Sequence, residues 1–255
     1  MTNNANKIAL VTGGSRGLGK DSALQLAQRG FNVFITYQTK KEDAEAVVKE
    51  IEAGGKKAFA LQLDISKTAG FDNFVRELQT ILDTQFNGAK LDALVNNAGV
   101  GLHATFDTTT EEGLDAMTNI HFKGPFFLTQ KLLPLLNDGS SIVNTSSGLA
   151  RFSFAGYSAY GAMKAAVDSL TRYQALELGS RKIRVNSIAP GAIATDFGGG
   201  VVRDNPEFNQ TLASQTALGR VGLADDIGSV VAFLCSEDSK WVNAQRIEAS
   251  GGFHI

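Results

Sequence analysis

The sequence predicts a single α/β domain built on a doubly wound, mainly parallel sheet with helices on both faces. Three observations carry that prediction. Short β-rich runs alternate with longer helical stretches along the chain, and such alternation calls for crossover connections between parallel neighbours. The first β-rich run leads through a glycine-rich turn directly into a helix. No linker, internal repeat or low-complexity segment divides the chain, so residues 1–255 read as one domain.

The elements follow in order. Lys7 to Thr12 is a strand, and a helix over about Gly19 to Arg29 follows the glycine turn. Phe31 to Tyr37 is a second strand. Glu42 to Ala53 is helical, with Val47, Val48 and Ile51 on one side and Gly54-Gly55 as the stop signal. Ala58 to Leu63 is a strand, Ala69 to Phe86 a helix and Leu91 to Val95 a strand. A long helix ending near Leu136, a strand over Ser141 to Thr145, a helix from Tyr157 to Leu178 and a strand over Ile183 to Ile188 come next. A looser, glycine-rich stretch runs from Gly191 to about Gly222. A helix over Ala224 to Ser236 and a strand near Arg246 to Ala249 close the pattern.

Composition excludes several classes. Apolar residues make up 43% of the chain, enough for a sizeable core. The net charge of −2 argues against nucleic acid or an anionic membrane as partner. Cys235 is the only cysteine and sits in an apolar run, so it reads as a core residue and no internal disulfide can form. The polar stretch Met1 to Lys7 lacks the layout of a signal peptide, and no segment is apolar enough to span a bilayer. A cytoplasmic location is expected.

The first turn reads Thr12-Gly13-Gly14-Ser15-Arg16-Gly17-Leu18-Gly19. Glycines permit a tight turn and let backbone amides approach a diphosphate, while the helix start presents free N–H groups. The second strand ends at Tyr37, where an acidic residue would bind the ribose 2′-hydroxyl. Here Gln38-Thr39-Lys40-Lys41 follows instead, and Arg16 stands ready to grip a 2′-phosphate. NADP(H) is therefore expected over NAD(H).

Tyr160 and Lys164 lie four residues apart on a predicted helix, hence on one face. A free phenol titrates too high for efficient proton exchange at neutral pH, and a neighbouring ammonium is expected to lower it. Ser147 lies thirteen residues earlier, at the carboxyl end of a strand, where open sheets of this kind bind ligands.

With these motifs in hand, the chain resembles the short-chain dehydrogenase/reductases from about Lys7 to Gly252. The resemblance rests on the glycine turn, on Asp64 after the third strand with Ile65 beside it, and on Asn96-Asn97-Ala98-Gly99 closing the fourth. It rests also on Ser147, Tyr160 and Lys164, and on Pro190-Gly191 with Ile193 and Thr195. It implies a Rossmann-type sheet of about seven strands, Lys164 bonded to the nicotinamide ribose, and a homotetramer or homodimer. In one place the sequence departs. The family pattern Asn-x-Lys-Gly-x-Phe becomes His121-Phe122-Lys123-Gly124-Pro125-Phe126, placing a histidine where the family has a catalytic asparagine. Histidine can hold a water and shuttle protons near neutral pH, so His121 joins the candidate catalytic residues.

The stretch from about 195 to 220, with Gly198-Gly199-Gly200, reads as a mobile loop over the substrate. Phe152, Phe154 and Phe197 are candidates for one pocket wall, and Leu102 and His103 for the other. No cluster of ligand spacing suggests a metal. The sequence reads as an NADP(H)-dependent oxidoreductase acting on a small-molecule carbonyl or alcohol, with Tyr160 as general acid/base. The alternative is a non-catalytic, NADP(H)-sensing regulatory protein on the same fold.

Overall fold

The computed structural model describes residues 7–255. The polar stretch read as lacking signal-peptide character therefore lies, apart from Lys7, outside the described residues. Among the described residues seven strands form one sheet: β1 (Ile8–Val11), β2 (Asn32–Tyr37), β3 (Ala58–Gln62), β4 (Leu91–Asn96), β5 (Leu136–Thr145), β6 (Arg184–Pro190) and β7 (Arg246–Ala249). Their order is β3-β2-β1-β4-β5-β6-β7, and every neighbouring pair is parallel. This is the doubly wound, Rossmann-type sheet predicted from the alternation.

Alternate strand residues feed two cores, as the two-residue period of a strand requires. Ile8, Leu10, Phe34, Leu94 and Ile142 face α3 (Phe71–Phe86), α5 (Gly124–Leu132) and α6 (Ser158–Glu177). Ala9, Val11, Val33, Ile35 and Val95 face α1 (Gly17–Gln28), α2 (Lys41–Ala53) and α9 (Ala224–Leu234). Cys235 is buried in this second core. Among the described residues no helix is long and apolar enough to cross a membrane.

Two expectations need correction. The long helix ending near Leu136 is broken into α4 (Glu111–Thr118), a π-helical turn (Asn119–Lys123), α5 and a short 3-10 turn, and β5 begins at Leu136 rather than Ser141. Pro125 supplies the reason. Having no N–H, it cannot donate the bond that would continue an α-helix from the His121 carbonyl, and its ring crowds that oxygen. The turn widens there, and π-turns of this kind recur at functional sites. The stretch after Gly191 is also more helical than expected, since it contains α7 (Val201–Asp204) and α8 (Pro206–Ser214). Asn205 caps α8 by accepting from the Phe208 N–H at 3.0 Å. Before α7, Gly198, Gly199 and Gly200 have φ of 61°, 77° and 81°, a left-handed run that other residues adopt only with strain.

Candidate active site

The order of the sheet reverses direction between β1 and β4, and open α/β sheets bind ligands beyond the strand ends at such a switch point. The glycine turn leaves β1 there. Asn97, just past β4, ties the two together: its Nδ2 donates to the carbonyls of Thr12 at 2.9 Å and Gly13 at 3.2 Å. Thr12 Oγ1 accepts the N–H groups of Asn97 and Ala98 at 2.9 and 3.0 Å. A Cβ on Gly19 would lie 2.2 Å from the Gly13 carbonyl oxygen, so only glycine lets α1 start this close to the turn. The first turn of α1 carries no acidic residue and no side-chain cap, which leaves its amides available to an anion.

A cleft of about 420 Å³ runs from this turn across the carboxyl edge of the sheet. At its nucleotide end lie Ser15, Arg16, Leu18, Tyr37, Gln38, Lys40, Asp64 and Ile65. Asp64 is already engaged, accepting from the Ser66 N–H at 3.0 Å and its hydroxyl at 2.6 Å. Arg16 reaches across to Asp196 at 3.6 Å. Ala98, Gly99, Pro190, Gly191, Ile193 and Thr195 line the middle. A tight glycine cradle, uncapped amides and an arginine beside the turn together suit a dinucleotide carrying an extra phosphate.

At the other end Ser147, Tyr160 and Lys164 converge. α6 buries Tyr160 and Lys164 on its inner face, and Ser147 follows β5 in an extended conformation. The Ser147 hydroxyl accepts the Leu149 N–H at 3.2 Å, which leaves its own proton free to donate. Burial pushes the Tyr160 phenol well above its ordinary value; the Ser147 hydroxyl opposes this and nearby Tyr157 adds to it. The expected lowering by Lys164 is not among the causes acting on the phenol in the protein alone, where loss of solvent dominates. The protonated form of the phenol is therefore favoured. Lys164 donates to the Thr145 carbonyl at 2.6 Å and lies 5.5 Å from the Tyr160 ring centroid. Burial pushes its ammonium down to about 8, against the pull of Asp168.

His121 enters from the π-turn, 1% exposed, with its ring edge-on to Tyr160 at 5.1 Å. Its Nε2 lies 2.8 Å from the Val100 carbonyl, which can only accept, so Nε2 carries the proton and Nδ1 is an acceptor. Burial and the Lys164 charge push the imidazole down to about 3, against the pull of the Val100 bond. With the imidazole pushed down, the neutral form of His121 is the one favoured near neutral pH. Among the described residues its buried Nδ1 has no hydrogen-bond partner, and neither has Asn96 Oδ1. Both residues, with Lys164, line a second cavity of about 10 Å³.

The far wall is aromatic. Phe197 packs 5.7 Å from Tyr160, and Phe152, Phe154 and Phe253 form a cluster that lines the cleft with Phe208 and Leu149. The expected opposite wall is different. Leu102 packs with Met117 and Tyr160, and His103 stacks edge-on to Tyr157 at 5.1 Å, so neither lines the cleft. Thr12 and Gly14 of the first turn and Asn96 do not line it either, whereas the other catalytic and cofactor-binding candidates do. Phe208 and Phe253 were missed because a phenylalanine far along the chain carries no signal of which cavity it meets.

One cleft thus joins the glycine turn to the buried Tyr160 and Lys164 beside Ser147, an arrangement that suits the class of dinucleotide-dependent oxidoreductases. A family model described as Enoyl-(Acyl carrier protein) reductase matches residues 13–254. The hydroxynaphthalene reductase-like protein Arp2 of Metarhizium brunneum is 38% identical over 97% of this chain and 95% of its own. The 3-oxoacyl-(acyl-carrier-protein) reductase FabG of Staphylococcus aureus is 38% identical over 98% of both chains. The crystal structure of the angucycline C-6 ketoreductase LanV with bound NADP superposes with a TM-score of 0.92 at 37% identity, covering 98% of this chain and 96% of that one. The chain belongs to the short-chain dehydrogenase/reductase family.

Proposed function

We propose that the protein is an NADPH-dependent reductase of bulky, uncharged ketones, with Tyr160 as the proton donor. The observation that carries this reading is the meeting of Ser147, Tyr160 and Lys164 beneath an aromatic wall, in the same cleft as the glycine turn. The charged side chains lining the cleft are Arg16, Lys40, Asp64, Asp196 and Lys164. The first three belong to its nucleotide end, Asp196 pairs with Arg16 and Arg203, and Lys164 sits under Tyr160. An apolar substrate fits what remains. Two relatives are in keeping with this, one hydroxynaphthalene reductase-like and one an angucycline C-6 ketoreductase. LanV binds NADP, which agrees with Arg16 and with the lack of a carboxylate after Tyr37.

The cofactor, when bound, supplies the hydride that the ketone carbon accepts. Ser147 donates a hydrogen bond to the carbonyl oxygen, and Tyr160 gives it the proton that completes the alcohol. Lys164 steadies the phenolate left behind and bonds the ribose. The small cavity lined by Lys164, His121 and Asn96 is about the size of a single water; a water there, donating to the partnerless His121 Nδ1 and Asn96 Oδ1, would give Lys164 a proton partner behind Tyr160. His121 is thus an acceptor that positions this water and carries no charge itself. The three glycines before α7 serve as a hinge for the wall that bears Phe197.

The test is a panel of ketones followed by loss of reduced-nicotinamide absorbance. It should contain a bicyclic aromatic ketone such as 1-tetralone, an acetoacetyl thioester and a sugar. Preferred turnover of the aromatic ketone is expected. Preference for the thioester would overturn the substrate class. Tight NADPH binding with no turnover of any member would favour the non-catalytic sensor.

A further inference from the structure

Arg246 begins β7, yet its guanidinium points back to the Ser147 turn. It makes three charge-assisted hydrogen bonds in three directions. Nε donates to Asp168 Oδ2 at 3.0 Å, Nη1 to Glu248 Oε2 at 2.8 Å, and Nη2 to the main-chain carbonyl of Ser147 at 3.0 Å. Asp168 lies one helical turn beyond Lys164 on α6, and its other oxygen accepts the Ser187 hydroxyl at 2.8 Å. Glu248 also takes two bonds from Arg151, from Nη2 at 2.8 Å and Nε at 2.9 Å. Arg151 in turn donates to the carbonyls of His254 at 3.0 Å and Phe253 at 3.3 Å.

Two cations and two anions thus form one neutral chain from α6 to the aromatic wall. Partly buried ion pairs of this kind contribute little net stability, because desolvation offsets most of the attraction. What a forked guanidinium does supply is direction. Ser147 needs it. The last sheet bond of this segment is from the Ser146 N–H to the Ile188 carbonyl at 2.7 Å, so Ser147 is beyond the ladder. Its carbonyl has only the local Ala150 N–H, at 3.1 Å, besides Arg246.

We infer that Arg246 is a positioning residue, holding the Ser147 turn at the angle from which its hydroxyl reaches the substrate carbonyl. Through Glu248 and Arg151 the same chain fixes Phe253, so the hydroxyl and the far wall keep a common spacing. This rests on the reading of Ser147 as the group that binds the carbonyl.

A double-mutant cycle tests it. Arg246→Lys keeps the charge and loses the fork. It should lower kcat about 10- to 100-fold, as a small misplacement of a catalytic group does, with the KM for NADPH unchanged. In a Ser147→Ala background the same substitution should cost less than about twofold, since the group it positions is gone. Glu248→Gln keeps the shape of the hub, and it should give the same pattern at smaller size if Arg246→Lys does not fold. Equal losses in both backgrounds would make the network purely structural, and a wild-type kcat in Arg246→Lys would also overturn the inference. A Ser147→Ala enzyme with wild-type kcat would instead refute the role of Ser147 on which it depends.

Discussion

His121 gives a stability prediction that can be worked through from the structure. Its imidazole is pushed down to about 3 in the fold, against an ordinary value of 6.5 in the unfolded chain. Because the folded value is the lower one, the contribution of His121 is fully present above pH 6.5 and is lost as pH falls toward 3. At pH 5.0 the unfolded histidine is about 97% protonated and the folded one hardly at all, which costs about 2 kcal/mol of stability. Replacing His121 by Asn removes this titration, whatever it does to stability at neutral pH. The assay is urea unfolding followed by far-ultraviolet circular dichroism at pH 7.5 and 5.0, at one protein concentration. Wild type should lose about 2 kcal/mol more than His121→Asn between those pH values, the contributions of all other groups being common to both. Equal losses in the two proteins would show that the imidazole is not buried and neutral, and would remove it as the acceptor behind Lys164.

Other substitutions probe the cleft. Gly19→Ala places a methyl group against the Gly13 carbonyl and should cost about 1–3 kcal/mol, read from the urea midpoint. NADPH affinity should fall with it, whereas Gly70→Ala, where nothing lies within 4 Å, should stay within about 0.5 kcal/mol of wild type. Arg16→Ala should weaken NADPH about 10- to 100-fold while leaving NADH nearly unchanged, measured by nicotinamide fluorescence on binding. Equal weakening of both would place Arg16 away from the 2′-phosphate. Phe197→Ala should raise the KM for an aromatic ketone several-fold more than that for a small aliphatic one, and equal shifts would remove Phe197 from the substrate wall.

The strand–helix alternation was readable because each strand is a short apolar run and each turn carries its own glycine signal. Boundaries failed where a tertiary cause acted. Residues from Glu111 to Leu132 keep a helical pattern, and only the missing N–H of Pro125 turns the centre into a π-turn. The site was legible where motif and position coincide, as at Ser147, Tyr160 and Lys164. It was not legible where burial decides chemistry: nothing in the local sequence says that His121 would be neutral or that the Tyr160 phenol would be pushed up. Arg246 was missed because its contact with Ser147 spans 99 residues. One signal was present, since Arg246 and Glu248 are two apart on a strand and must share a face. Leu102 and His103, expected on the opposite wall of the cleft, instead turn into the packing around Tyr160 and Tyr157.

The central claim is that Tyr160 delivers the proton to a substrate carbonyl. It is tested most directly by single-turnover reduction with Tyr160→Phe, using saturating NADPH and whichever ketone the wild type reduces fastest. The hydride-transfer rate should fall about 10²- to 10⁴-fold, with the Kd for NADPH within about twofold of wild type. A Tyr160→Phe protein that oxidises NADPH at the wild-type rate on the same ketone would contradict the claim outright.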